Sequence, residues 1–184
     1  MPTYFVRVRG LTLSFATTAF GGVLLLAGFV GTLVGGRWGD RLAARRADGH
    51  FFLSGLALVL SAPFTVIALL SPSPAVYWPA MFTTLTLLFL NTGPLNAAMA
   101  NVLDASLRGR GFAMNTLFIH LLGDALSPFL IGLASDRIGL RLPVLVVGVL
   151  PVAAGLLLLA GRAALARDLS GRAGALSTAP AAIG

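Results

Sequence analysis

The chain has 184 residues, of which 57% are hydrophobic and only 10% are charged, and its mean hydropathy is +0.92. Soluble domains carry about 25% charged residues, so this composition excludes an ordinary soluble protein. The net charge of +7 comes from arginine and aspartate alone, because lysine and glutamate are absent. The arginines form short groups between long apolar segments, which argues against a nucleic-acid-binding protein. Cysteine is also absent, which excludes disulfides and thiolate metal sites.

Five apolar segments are long enough to cross about 30 Å of hydrocarbon, which takes about 20 helical residues. None of them shows the alternation of a lipid-facing barrel strand, so the sequence predicts an all-α, polytopic membrane helix bundle. Residues 1–10 resemble the end of a preceding helix and an outer loop, and residues 161–184 predict a disordered cytoplasmic tail. The predicted spans cover residues 11–36, 51–70, 77–102, 112–134 and 142–160.

The arginines are distributed unevenly between the two sides that alternating spans would create. Because cytoplasmic loops carry an excess of basic residues, the richer side is predicted to be cytoplasmic. The amino terminus is then outside and the carboxyl terminus is in the cytoplasm. The cytoplasmic group holds Arg37, Arg41, Arg45, Arg46, Arg108, Arg110, Arg162, Arg167 and Arg172, and the outer group holds Arg7, Arg9, Arg137 and Arg141.

Three glycines follow one another at intervals of four residues where the first span ends, namely Gly31, Gly35 and Gly39. This spacing places them on one helical face, where the missing side chains allow another helix to approach closely. The close contact either allows the helices to slide or serves only static packing. The residues alone leave both readings open.

The loop after this helix contains Gly36, Asp40 and Arg41, followed by Arg45 and Arg46. A carboxylate is stabilised near a helix amino terminus, and neighbouring arginines can complete a network; a simple topology signal is the alternative. The pattern resembles the cytoplasmic signature loop of the major facilitator superfamily, although Leu42–Ala44 lengthens its usual spacing. The resemblance implies that the aspartate and arginines form a conformational latch.

Polar motifs in the third and fourth spans are similar to helices ten and eleven of the spinster-like branch of that superfamily. The motifs are Asn91-Thr-Gly-Pro-Leu-Asn96 and the stretch from Ile119 to Pro128, IHLLGDALSP. The resemblance implies a carboxyl-terminal half, with residues 2–10 at the end of helix seven, helices eight to twelve following, and the first six helices missing. It further implies secondary transport, by alternating access, of an amphipathic or anionic compound such as a lysolipid or a sphingoid phosphate.

His120 and Asp124 lie four residues apart near the centre of the fourth predicted span, and therefore share one helical face. Ionisable groups at this depth usually face a cavity or a partner, so the pair is predicted to form a proton relay or a substrate contact. A purely structural pair is the alternative. Asn115 and Ser127 extend the polar face, while Gly93-Pro94 and Pro128 are expected to interrupt their helices. Asn91 and Asn96 in the preceding span either line the same path or act as interhelical contacts.

The rival class is an intramembrane enzyme, but the sequence contains no recognisable catalytic motif, and no catalytic, metal or cofactor site is predicted. The expected partners are the bilayer, a small-molecule substrate and an amino-terminal six-helix half in the same or a separate chain. The expected location is a cell membrane, most simply a bacterial inner membrane. An inactive or split-gene remnant stays open as an alternative.

Overall fold

The computed structural model describes the backbone of residues 1–178 and the side chains of residues 1–123 and 126–170. Throughout this part of the chain the regular structure is helical, which confirms the all-α prediction. The elements are α1 (Pro2–Arg9), α2 (Leu13–Ala43), α3 (Gly49–Leu70), α4 (Pro74–Leu90), α5 (Thr92–Val102), α6 (Ala105–Phe118), a π-helix (Ile119–Ala125), α7 (Leu126–Ile138), α8 (Arg141–Val149) and α9 (Pro151–Thr178).

The central helix of the bundle is α3, which packs against α2, α4, α5, α8 and α9. Its sequence is apolar on nearly every face, as expected for a helix surrounded by others. It ends where Ser71 and the prolines that follow it stop helical hydrogen bonding. Helix α4 then begins at Pro74. Proline is tolerated in the first turn of a helix, because the backbone N–H groups there have no partner within the helix.

Four helical segments of the described chain are long and apolar enough to cross a membrane, judged by length and composition: Leu13–Ala43, Gly49–Leu70, Ala105–Ile138 and Arg141–Ser170. The chain is therefore a polytopic membrane helix bundle. The remaining predicted span, residues 77–102, is divided into α4, with 17 residues, and α5, with 11 residues. Neither piece alone covers about 30 Å at 1.5 Å per residue.

The breaks in the predicted spans fall next to prolines. Helix α4 gives way to α5 at Asn91, because Pro94 cannot donate a hydrogen bond to the carbonyl of Leu90. The predicted interruption at Gly93-Pro94 is therefore present. Pro128 lies inside α7, however, and the irregular segment precedes it as the π-helix. That π-helix contains residue 124, whose carbonyl would have paired with the missing N–H of Pro128.

The predicted disordered tail differs from the structure. Helix α9 continues from Pro151 to Thr178, so residues 161–178 are helical, while residues 179–184 lie outside the described part. Alanine, leucine and arginine dominate the segment from Gly161 to Leu169, and these are strong helix formers. Loss of apolar density therefore marks where the predicted span ends, but not where the helix ends.

The first ten residues form a short helix docked on the bundle. Tyr4 and Phe5 of α1 are buried, and the Phe5 ring stacks on Trp78 with ring centroids 4.8 Å apart. Gly10 ends this helix with a φ of 68°, a left-handed conformation that glycine adopts without strain. The predicted outer end of the bundle therefore has an aromatic core, formed by α1 and α4.

Candidate functional site

An inner cavity of about 780 Å³ opens between α5, α6 and α9. It brings together three of the predicted path residues, Asn91, Asn96 and Asn115. Asn91 lies at the break between α4 and α5, where its side-chain Nδ2 donates a hydrogen bond to the Leu88 carbonyl at 2.6 Å. The rest of the lining is mainly apolar: Phe51, Leu95, Ala98, Met99, Val102, Leu103, Phe112, Ile119, Gly161, Ala164 and Leu165, with Thr92, Thr116 and Asp168.

The other predicted path residues lie on or just after the π-helix. His120 is exposed on the π-helix and Ser127 is partly buried, and neither belongs to the lining of the inner cavity. The Ser127 hydroxyl donates a hydrogen bond to the Leu122 carbonyl at 3.4 Å. The side chain of Asp124 lies outside the described residues. Single-turn π segments inside α-helices occur frequently at functional sites, which makes this part of the fourth predicted span a candidate site.

An outer cavity of about 530 Å³ lies on the other side of the π-helix. Pro128, Ile131 and Ser135 of α7 form one wall, and Tyr4 of α1 and Val144 of α8 lie on other walls. The long helix from α6 to α7 contains no buried residue among its described side chains. Its contacts with the bundle are mainly those with its chain neighbours α5 and α8, so it borders a cavity on each side of the π-helix.

The predicted glycine face of α2 lies against α4 and α5. A Cβ atom added to Gly31 would be 2.5 Å from the Thr86 carbonyl oxygen, and one added to Gly39 would be 2.8 Å from Cγ of Pro94. At Gly35 the added atom would collide with the Leu90 carbonyl oxygen. These three glycines therefore allow the backbones of α2 and the α4–α5 break to meet directly.

The predicted latch residues occupy the end of α2 and the following loop. Asp40, Arg41 and Arg45 are exposed, while Gly36 is partly buried beside Gly93 of α5. Among the described side chains, no hydrogen bond or ion pair joins Asp40 to the two neighbouring arginines. The exposed carboxylate is therefore placed at the surface, at the end of the glycine face.

The strongest charge contact of this loop involves a different aspartate. Nε of Arg46 donates to Oδ1 of Asp48 at 2.6 Å, and Nη2 donates to Oδ2 at 2.8 Å. These hydrogen bonds hold the pKa of the Asp48 carboxyl below its ordinary value and raise that of Arg46. Arg162 of α9 approaches the same carboxylate at 3.6 Å, and both guanidinium groups lie over the Phe52 ring. The loop is thereby tied to α9.

Sequence reasoning missed a second glycine contact, between α3 and α9. A Cβ on Gly55 would be 2.8 Å from the Gly155 carbonyl oxygen, and a Cβ on Gly155 would be 2.7 Å from the Gly55 carbonyl oxygen. Neither glycine belongs to a series of glycines at four-residue intervals. The sequence offers no signal that pairs them across so many residues.

The carboxyl-terminal end of α3 is capped by side chains of the α1 region, which sequence reasoning also missed. The Tyr4 hydroxyl donates to the Leu69 carbonyl at 2.7 Å, and Arg9 donates to the same oxygen at 2.8 Å. The Arg9 guanidinium also lies 4.9 Å from the Tyr77 ring centroid. The final carbonyls of a helix lack partners within it, and a cation there is favoured by the helix dipole. This cap ties α1 to α3.

Buried His50, at the start of α3, is a further residue that sequence reasoning did not select. Its side chain is buried, and Nδ1 has no hydrogen-bond partner and lies near the position of a Cβ on Gly39. Among the described residues, no group of three or more His or Asp side chains is placed to hold a metal ion.

Comparison with known proteins identifies similar chains. No protein-family model matches this chain. It is 33% identical over 123 residues to the probable sphingolipid transporter spinster homolog 3 of Arabidopsis thaliana, which covers 67% of this chain and 24% of that protein. It is 28% identical over 150 residues to the protein spinster homolog 1 of Xenopus laevis, which covers 74% of this chain and 28% of that protein.

A third relative is the sphingosine-1-phosphate transporter SPNS2 of Mus musculus, 32% identical over 124 residues, covering 65% of this chain and 22% of that protein. The chain thus spans about a quarter of the length of the curated relatives it matches. The similarity extends over about two thirds of this chain or more. The helical, polytopic membrane architecture of the chain agrees with it. The resemblance to the spinster-like branch of the major facilitator superfamily is therefore confirmed.

Proposed function

We propose that this chain is the carboxyl-terminal half-domain of a secondary transporter that carries a small amphipathic compound across a membrane by alternating access. The observation that carries the proposal is the similarity to proteins named as sphingolipid and sphingosine-1-phosphate transporters. The mainly apolar inner cavity, with amide groups at a few positions, supports it, because small-molecule sites combine these features. Lysolipids and sphingoid phosphates are the substrate class that the relatives' names suggest.

The proposed transporter includes a second membrane half, in the same or a separate chain. The substrate sites of such transporters lie between two structural repeats near the middle of the bilayer. The long helix from α6 to α7 has no buried residue among its described side chains, and so offers an apolar surface to such a half. The arginine distribution supports a cytoplasmic carboxyl terminus and, in bacteria, an inner-membrane location.

His120 and Asp124 are proposed to form the proton-coupled element of this half. Both lie on the π-helix, between the inner and outer cavities, where an ionisable group could be reached from either side in turn. Histidine titrates near neutrality, and an aspartate in a low dielectric can bind a proton. The pair therefore suits a relay that exchanges a proton between the two sides.

Asp40 is proposed to act as a latch with the second half, together with Arg41 and Arg45. These side chains are exposed at the end of the glycine face, so they are available to a helix terminus outside this chain. In the assembled transporter, Asp40→Asn should change the ratio of inward-facing to outward-facing molecules, as measured by accessibility of cysteines placed on each side. An unchanged ratio with unchanged transport would reduce the loop to a topology signal.

The test of the transport function uses the chain together with the proposed amino-terminal half, produced in the same or a separate chain, purified and reconstituted in liposomes. Radiolabelled sphingosine-1-phosphate serves as the probe. The proposal predicts uptake above protein-free liposomes, loss of uptake in Asp124→Asn, and an altered pH dependence in His120→Gln, with equal amounts of folded protein.

Three results would contradict these proposals. Absence of uptake of the probe, and of a lysolipid tested in parallel, by correctly folded assembled protein would refute the transport function and favour an inactive remnant. Wild-type transport by Asp124→Asn would remove the proton-relay role. Equal loss of folded protein and of uptake in both variants would instead assign the pair to structure.

A further inference from the structure

The start of α3 buries a titratable side chain to which the proposed function gives no role. His50 is 4% exposed, and its Nδ1 atom has no hydrogen-bond partner among the described residues. One helical turn later, on the same face of α3, the Oγ atom of Ser54 is buried and also lacks a described partner. Most buried polar atoms in proteins are hydrogen-bonded, so this end of α3 is poorly satisfied in its packed state.

The His50 imidazole lies where α2, α3 and α5 meet. A Cβ atom added to Gly39 of α2 would be 3.4 Å from Nδ1 of His50 and 2.8 Å from Cγ of Pro94. The imidazole and the buried proline ring of α5 therefore both lie against the backbone of Gly39, at the end of the glycine face. These surroundings suit a neutral imidazole better than an imidazolium, because an imidazolium must donate from both of its nitrogens.

The charged groups near this junction come from α2, from the following loop and from α9. The exposed carboxylate of Asp40, near the end of α2, interacts electrostatically with His50. Arg46 and Asp48 of the loop pair with each other, and Arg162 of α9 approaches the same carboxylate of Asp48. Helices α4 and α5 contain no charged side chain, and α3 contains no titratable one besides His50. The other described charged side chains on elements packed against α3 are exposed, namely Arg37, Arg41, Arg45, Arg141, Arg167 and Asp168.

A proton on Nδ1 would therefore change the balance of this junction. An unpaired buried charge costs far more free energy than an unpaired neutral group, so an imidazolium cannot stay in the packed position. The charges of the loop already compensate one another, which leaves Asp40 as the carboxylate available to a protonated His50. Movement of the imidazole towards Asp40 would remove one of the two groups packed on Gly39 and loosen the contact of Gly39 with Pro94.

We propose that His50 is a proton-sensitive switch of the contact between α2 and α5. The neutral imidazole packs beside Gly39 and Pro94, whereas the protonated imidazole turns towards Asp40 and the two helices separate. The next residue after His50 is Phe51, which lines the inner cavity, so the switch also changes the shape of that cavity. The inference concerns packing within this chain, and it does not depend on the transport function.

The test uses the chain in lipid nanodiscs with the substitution His120→Gln, so that His50 is the only remaining histidine. Because native cysteine is absent, spin labels on cysteines introduced at Ala44 and Ala100 report the separation of α2 and α5 by pulsed electron paramagnetic resonance. Between pH 8 and pH 5 the mean distance should increase by about 2 Å, the scale of helix shifts in switching proteins. The matched control His50→Gln, which stays neutral, should keep the short distance throughout. Asp40→Asn removes the partner of the protonated form and should move the midpoint of the transition about one pH unit lower.

NMR of ¹³C-labelled histidine in the same protein follows protonation of His50 directly, and it keeps the test decisive if His50→Gln does not fold. The inference requires that protonation and the change in distance have the same midpoint. It would be overturned if His50 stayed neutral at pH 5, or became protonated with no change in distance. The same conclusion would follow from a transition that persists in His50→Gln, or from a midpoint that Asp40→Asn leaves unchanged.

Discussion

Replacement of Gly35 by alanine tests the direct contact between α2 and the α4–α5 break. The new Cβ would lie 2.8 Å from the Leu90 carbonyl carbon and 2.9 Å from its Cα, and it would collide with the carbonyl oxygen. Carbon atoms in ordinary contact are about 3.5–4.0 Å apart, so the helices would have to separate by about 1 Å. Both partners are backbone atoms, which cannot move aside as a side-chain end can.

Such overpacking costs about 1–3 kcal/mol, and separation of the helices also weakens the neighbouring contacts of Gly31 and Gly39. For a chain of this length we expect the apparent melting temperature to fall by roughly 3–10 °C. Thermal unfolding of purified protein in detergent, followed by loss of monodispersity on size-exclusion chromatography, measures the change.

The matched control is Gly22→Ala in the same helix, where an added Cβ meets no atom within 4 Å. Alanine has a better helix propensity than glycine by about 1 kcal/mol, so this control should be as stable as wild type or slightly more so. If Gly35→Ala were as stable as Gly22→Ala, the backbone contact described for the glycine face would be wrong.

Three further predictions concern the loop, the orientation and the cap of α3. The hydrogen bonds from Arg46 lower the pKa of Asp48 in the folded protein. The ionised Asp48 carboxylate therefore stabilises the fold at pH values above its unfolded pKa of about 3.9, and this stabilisation is lost as the pH falls through the folded pKa. Asp48→Asn should therefore lower the melting temperature by a few degrees at pH 7, with a difference from wild type that shrinks towards pH 3; a constant difference would contradict the assignment. Single cysteines introduced at Ala44 and Ser73 should differ in labelling by an impermeant thiol reagent on intact cells, with position 73 labelled and position 44 protected; the opposite pattern would reverse the predicted orientation. Tyr4→Phe removes one of two hydrogen bonds to the Leu69 carbonyl and should cost about 1 kcal/mol in thermal unfolding, while an unchanged melting temperature would show that the cap does not depend on the hydroxyl.

Apolar length was sufficient to predict the helical class and four helices that are long enough to cross a membrane, because a segment of about 20 apolar residues satisfies its backbone hydrogen bonds in a bilayer by forming a helix. It did not predict the division of residues 77–102 at Asn91. The proximity of Asn91 and Asn96 to Asn115 also follows from the sequence, since a short turn makes consecutive helices neighbours. Their role in transport stays a prediction.

Contacts between distant residues could not be predicted in this way. Asp48 and Arg162 are far apart in the sequence, and the sequence predicts a disordered tail, rather than a helix, at Arg162. The superfamily pattern selects Asp40, and sequence reasoning did not select Asp48. The preference of Arg46 for Asp48 depends on the backbone turn that brings their side chains into bidentate contact.

The π-helix has a consequence for the rotational phase of the helix that contains it. An α-helix turns about 100° per residue, so positions sixteen residues apart differ by about 160° and face nearly opposite ways. The wider turn of the π-helix takes up about one extra residue and so reduces this angular difference by about 100°. The residues that line the inner cavity and those that line the outer cavity therefore both lie on the side of the helix that faces the bundle. A straight helix would point one set into lipid, so one additional residue in this segment allows a single helix to wall both cavities. The sixteen-residue pairs are Phe112 with Pro128, Asn115 with Ile131, Thr116 with Gly132 and Ile119 with Ser135, the first of each lining the inner cavity and the second the outer.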